Sequence, residues 1–276
     1  MRLRIHKAML VFRKDWREVS RNWQVILPIV VVPMMFSIAL PVLILLIPSL
    51  AALPGSSLGG LETMIQNLPG HVQRELAEMT DQQVLVYIMS LYFLAPFFLI
   101  IPLMTSSVIA SDSFAGEKER KTIEALLATP LSDSELLIGK TLVSWVPSMA
   151  VTIVSFVIYS IVVDASSIAM FDGKLLLPNI VWIMVIFGLA PTIAIAGIGL
   201  TVIISAKVKG FREARQISVI LLLPILALVF GQVAGAIVFG PLMVLGLIGL
   251  FAVVDVLVFR VGVKIFRREE ILQRLA

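Results

Sequence analysis

The sequence predicts an all-α polytopic membrane protein: six transmembrane helices, an N-terminal interfacial amphipathic helix and a short cytoplasmic helix between the second and third spans. Three observations predict it. Of 276 residues, 59% are hydrophobic and 14% charged, with a mean hydropathy of +1.03, whereas a soluble chain keeps about a quarter of its residues charged to solvate its surface. Charge-free runs recur at lengths that cross a bilayer. Every Lys and Arg except Arg74 and Lys174 falls at the N-terminus, in 110–140, in 207–215 or in 260–276, so the bases crowd alternate connections. The positive-inside rule then places both termini in the cytoplasm of a cell-membrane protein.

Residues 1–23 alternate steps of four and three through Ile5, Met9, Phe12, Trp16, Val19 and Trp23, with Arg13, Lys14, Arg17 and Arg21 on the other face. This is the pattern of a helix lying in the interface. Phe12, Trp16 and Arg17 are its candidate interfacial residues. Spans follow at about 25–50, 84–109, 138–163 and 178–206, the fourth entering near Pro178. Gln216–Val254 carries no charge. One helix of that length would measure roughly 58 Å against a hydrocarbon core of about 30 Å, so it folds back at Gly240-Pro241 into spans at 217–239 and 242–259. The chain is a single transmembrane domain, with 51–83 as an outer loop, 110–137 as a cytoplasmic segment and 260–276 as a cytoplasmic tail.

The outer loop reads as two short helices, Leu58 to Leu68 and Val72 to Met79, and Thr80-x-x-Gln83 has the form of a capping box opening the second span. Segment 110–137 is more particular. Glu117 and Lys121 form a favourable i,i+4 pair, Ile123, Leu126 and Leu127 make a short apolar stripe, Pro130 ends the helix, and Ser132-x-x-Glu135 caps the next one.

Much chemistry is excluded. With no cysteine, thiolate sites have no ligands, and His6 and His71 alone are too few to build a histidine metal site. The basic residues gather at span ends and not on one soluble face, so nucleic acid is not a partner and membrane lipid is. Gly139-Lys140-Thr141 has the tail of a P-loop, but Ser134 stands where its first glycine belongs. Metalloprotease and serine-hydrolase motifs are also absent.

Inside the spans, Pro28, Pro33, Pro41, Pro96, Pro102, Pro147, Pro191 and Pro224 each remove a helical hydrogen bond, and Ala227, Gly231 and Gly235 allow close helix approach. Asp255 is the one carboxylate within a span. It reads as a structural partner of Arg260 or of a neighbouring helix, with an ion or proton path as the functional alternative. Gln232 joins it as a candidate intramembrane polar residue, and Tyr159, Thr152 and Ser155 either line a pathway or bond between helices.

The run Ala115-Gly-Glu-Lys-Glu-Arg-Lys-Thr-Ile-Glu-Ala-Leu-Leu-Ala-Thr-Pro130, followed by Gly139-Lys140, resembles the cytoplasmic signature of type-2 ABC exporter permeases, especially those similar to sodium-extrusion and multidrug permeases. The start Arg13-Lys14-Asp15-Trp16-Arg17-Glu18, the six-span layout and the ending Phe266-Arg-Arg-Glu-Glu-Ile-Leu272 look like that family too. The resemblance implies that 1–23 is an elbow helix and that 110–137 holds a coupling helix which docks on a separate ATPase. Glu117, Glu119, Thr122, Glu124, Leu126 and Leu127 are the matching coupling positions. It further implies that the chain is a non-catalytic subunit without a cofactor of its own. ATP and Mg would be bound by two copies of a cytoplasmic ABC ATPase, and the permease would pair with itself or a close relative. Many sodium-extrusion relatives carry a large external domain where this chain has a compact loop, so the substrate stays open. The alternative reading is a stand-alone secondary transporter or channel.

Overall fold

A computed structural model describes residues 5–51, 65, 70–122, 133–208, 210–234, 237 and 239–265. Among the described residues the chain is all helix, and six helices are long and apolar enough to cross a membrane: Trp23–Leu45, Asp81–Glu119, Glu135–Ser167, Ile180–Ser205, Phe211–Gln232 and Pro241–Gly262. We number these spans one to six. The end of the bundle that carries Ile5–Val19 and the start of the third span is termed the charged end.

The second span is the axis of the bundle. The first, third and fourth spans pack along it, the fifth touches it, and the sixth lies against the fourth. In its most apolar stretch 67% of the residues are buried, against 17% in the sixth span, which leaves the sixth span's surface for lipid or another chain. Gly197 permits close approach of the fourth span to the second, because a Cβ there would lie 2.7 Å from Leu103 and 3.1 Å from the Ser107 hydroxyl. Phe98, Phe156, Tyr159 and Trp182 form an aromatic centre with ring centroids 4.8–5.5 Å apart.

The prolines act locally. Five-residue π turns occupy Met35–Ala39, Met89–Phe93 and Val185–Leu189, each just ahead of Pro41, Pro96 or Pro191. A proline ring clashes with the carbonyl four residues back and offers it no amide, and a widened turn moves that carbonyl aside. Carbonyls of the second π turn are satisfied from three other spans. Tyr159 Oη donates to Ser90 O at 2.6 Å, Trp182 Nε1 to Leu91 O at 3.0 Å and Gln232 Nε2 to Tyr92 O at 2.8 Å. Tyr159 and Gln232 are therefore fasteners in this structure. Thr152 and Ser155 donate to Ser148 O and Val151 O one turn back in their own helix.

Several boundaries differ from the sequence reading. The second span runs to Glu119, about ten residues past the expected end, because Asp112 and Glu117 are buried against bases and so do not stop the helix. The fourth span starts at Ile180, two residues past Pro178, where Asn179 caps it by accepting from Trp182 N at 2.9 Å. The fifth begins at Phe211, with the amphipathic helix Phe211–Ser218 leading into the membrane. In the outer loop a helix spans Gly70–Ala77, and Thr80 and Gln83 form the reciprocal capping box; the first expected loop helix lies outside the described residues apart from Ile65, as do Gly235 and Ser132.

Candidate functional site

Helix Ile5–Val19 packs on the bundle through a face beside the expected apolar stripe. Val11, Asp15 and Val19, four residues apart, form the buried face, packed on Ala110, Phe114, Ile109, Leu136 and Val143 of the second and third spans. Phe12 is partly buried beside them, while Met9, Trp16 and Arg17 face outward. The face that packs thus has a carboxylate at its centre, and a buried charge persists only when paired.

Its partner is Lys140, 1% exposed at the start of the third span. The ammonium lies 3.2 Å from Asp15 Oδ2 and 2.7 Å from Glu117 Oε2, and donates to Ser113 O and Oγ. Ser113 Oγ donates to Asp15 Oδ2 at 2.7 Å. Lys14 bridges the same acids from outside, with Nζ hydrogen-bonded to Glu117 Oε1 and 3.3 Å from Asp15 Oδ1. Asp15, Glu18 and Glu117 bring their oxygens within 4.8 Å of one another, close enough to hold a metal ion, and the Lys14 ammonium supplies the positive charge among them. Beside this group Arg120 pairs with Asp112 at 3.2 Å and Glu18 at 2.8 Å, and Asn22 caps the first span while donating to Asp112 at 3.0 Å. One ionic lock therefore joins the interfacial helix, the exit of the second span and the entry of the third.

The electrostatics follow from that geometry. Burial pushes the Asp15 carboxyl up, but Lys140, Ser113 and Lys14 outweigh it and hold it below its ordinary value. Desolvation pulls the Lys14 ammonium down, yet the Glu117 and Asp15 carboxylates raise it above its usual range.

A fourth π turn, Asp112–Gly116, lies inside this lock with no proline after it. It carries Asp112 toward Asn22 and Arg120 while Ser113 and Glu117 meet Lys140. The expected pair of Glu117 with Lys121 is replaced by these contacts. The helix stops at Glu119, Lys121 turns to φ 56°, and Thr122 donates back to Glu117 O. Glu119 is exposed but is also held within the chain, its Oε2 accepting from Phe211 N at 2.9 Å at the head of the fifth span. Glu117, Glu119 and Thr122 thus shape the segment's root within this chain. Glu124, Leu126 and Leu127 lie outside the described residues.

Asp255 borders a small space of 30 Å³ between the third, fourth and sixth spans, with Thr141 and Gly199. Its Oδ1 is buried with no hydrogen-bond partner among the described residues, and no ion pair there joins it to Arg260. The reason is geometric: five residues along a helix is about 140° around it, so Arg260 points elsewhere and is exposed. Asp255 and Gln232 lie far apart in contacts, one beside the fourth span and the other fastened to the second.

Lys140, Asp15, Ser113 and Asp112 were the functional candidates missed in sequence. The available signal was Asp15 itself, an acid at the centre of the Val11 and Val19 repeat, and Lys140, a base opening a charge-free run.

Six apolar helices around a buried axis make this a multi-pass membrane protein. Residues 9–256 match the family profile described as ABC-2 family transporter protein, and the chain belongs to that family. It is also similar to the ABC transporter permease protein NatB of Bacillus subtilis (strain 168), 62% identical over 34 residues, which cover 12% of this chain and 9% of that relative. The protein is an ABC transporter membrane subunit.

Proposed function

We infer that the chain is the permease of an exporter driven by a separate ATPase, with both termini and the charged end on the cytoplasmic side. Two such chains, identical or closely related, assemble with two ATPase subunits that bind ATP and Mg. The observation that carries the reading is the ionic lock. A partner pressing on 123–132 acts on a segment whose root, Glu117 to Thr122, is tied through Lys140 and Asp15 to the third span and the interfacial helix. Displacement there is transmitted to three elements as one body, which suits coupling to hydrolysis. Leu126 and Leu127 supply the apolar contact to the ATPase, and Glu124 a polar rim.

The test is co-expression with the candidate ATPase. The double variant Leu126→Asp with Leu127→Asp is expected to insert and fold while losing the co-purified ATPase or its stimulation of hydrolysis. Retention of both defeats the coupling assignment, and transport in vesicles without any ATPase establishes the secondary transporter instead. Native mass measurement of the parent complex is expected to show two membrane subunits.

A further inference from the structure

The sixth span is seated on the fourth through two glycines. Gly188 admits Ile248, whose Cδ1 would lie 2.6 Å from a Cβ there, and Gly199 admits Val258 in the same way. Three residues before Val258 stands Asp255, its Oδ1 enclosed and without a hydrogen-bond partner among the described residues. The space of 30 Å³ that it borders is walled by Leu137 and Thr141 of the third span and by Gly199 of the fourth. A space of that size holds a water molecule. Thr141 directly follows Lys140, so the space lies just inside the charged end. No base among the described residues faces it. The fourth span has no charged residue from Ile180 to Ser205. Glu135 and Lys140 of the third span do not line the space, and Lys140 is engaged by Asp15 and Glu117. Arg260 is exposed and does not line it either.

We propose that Asp255 and this space form a proton-binding site, in which the carboxyl carries one exchangeable proton and passes its hydrogen bond through a single water to Thr141. A carboxylate oxygen held against apolar walls, without a donor or a counter-charge, is costly as an anion and is relieved by neutralisation. A proton is the cation that the surrounding groups fit. Thr141 Oγ1 already donates to Leu137 O at 2.8 Å, so only its lone pairs remain to be filled, and a protonated carboxyl fills them through water. A metal ion would find one carboxylate and one hydroxyl among apolar side chains and glycines, short of the six or more oxygens, roughly, that a hard divalent cation takes. Proton uptake removes the one charge that the sixth span carries between Pro241 and Phe259, so the seating of that span on Gly188 and Gly199 follows the acidity at the charged end. The proposal stands apart from the ATPase reading and holds for any transport mechanism.

The full chain in lipid vesicles, treated with dicyclohexylcarbodiimide from about pH 5 to 9, reports the proton through the mass of the peptide that holds Asp255. The reagent enters the apolar phase and adds to a protonated carboxyl. The proton moves to one carbodiimide nitrogen, the carboxyl oxygen bonds the central carbon, and the adduct rearranges to a stable N-acylurea. Labelling of Asp255 is expected to fall as pH rises. Thr141→Val removes the acceptor of the bridging water and is expected to lower the labelling midpoint by about half a pH unit, the equivalent of one hydrogen bond between membrane helices. Thr141→Ser keeps the hydroxyl and the parent midpoint, which separates the bridge from a change in packing. Sodium chloride in place of choline chloride is expected to change nothing. Asp255 unlabelled at every pH, a midpoint that Thr141→Val leaves in place, or protection by sodium, which would make this a metal site, overturns the proposal.

Discussion

Two turns of the second span are widened in the same way and serve opposite ends. At Met89–Phe93 a proline three residues on removes an amide, and neutral donors from the third, fourth and fifth spans fill the carbonyls. At Asp112–Gly116 no proline is present, and the widened turn coincides with acids, a serine and two lysines brought into register. The first distortion is forced by covalent structure and repaired by packing. The second has no covalent cause, so the lock's side-chain contacts must hold it. The deep turn is therefore a fixed rivet, and the turn at the charged end can respond when its charges are disturbed, which is the property a coupling element needs.

The largest way to break this contrast is Lys140→Met. It leaves Asp15 and Glu117, both buried, with Lys14 as their one remaining base among the described residues, and removing one partner of a buried pair costs about 3–5 kcal/mol. Unfolding in detergent, followed by Trp fluorescence, should show that loss. Adding Asp15→Asn and Glu117→Gln to Lys140→Met should recover much of it, because no uncompensated charge remains. If the single variant is as stable as the parent, the lock carries no weight.

Acidity disturbs the same group without mutation. The Asp15 carboxyl is held below its ordinary value of 3.8, so its contribution is present above that pH and is lost as pH falls through the lower folded value. Lys14 is raised above 10.5, so its contribution is complete below that pH and is lost only as pH rises through the higher folded value. Stability from the lock should be flat between about pH 5 and 9. A midpoint that moves steeply within that window, and does so less in Asp15→Asn, contradicts the assignment of charges.

How far these two regions were legible in the sequence differs for physical reasons. Span number followed from run length, because a bilayer permits little but uninterrupted apolar helix. The rivet was partly legible: Pro96, Tyr159 and Gln232 were visible, but which carbonyl each donor reaches depends on helix rotation. The lock was hidden because charge was read as a sign of the solvated side. The charge-free run stops at 109, ahead of Asp112 and Glu117, whereas pairing with Arg120 and Lys140 lets the helix pass through them. Lys140 entered the sequence reading through a rejected nucleotide loop and the Gly139-Lys140 pair, and one of its partners, Asp15, stands 125 residues away. Asp255 misled in the opposite direction, since nearness to Arg260 in sequence says little across 140° of helix.

Smaller effects sharpen the rivet. Tyr159→Phe keeps the ring in the aromatic centre and removes only the bond to Ser90 O, and Gln232→Leu removes the bond to Tyr92 O. Interhelical hydrogen bonds in membranes contribute about 0.6 kcal/mol on average and up to about 1.7. Each variant should lose stability in that range and leave the pH profile unchanged, because neither touches the lock. A shift in the acid limb for either would join two regions that the contrast holds separate.

The smallest expected effect lies at the root of the segment, where Glu119 meets the fifth span. Its carboxylate caps Phe211–Ser218 by accepting from Phe211 N, and an anion at an exposed helix start contributes under about 1 kcal/mol. Gly210 makes the approach possible: a Cβ there would sit 2.6 Å from Glu119 Oε2, and its extended backbone, φ −165°, suits any residue. Gly210→Ala should therefore cost what Glu119→Ala costs, by displacing the same carboxylate and not by strain. The pair should be non-additive, the double variant losing no more than the worse single one. Full additivity in a double-mutant cycle would mean that Gly210 serves something other than this contact.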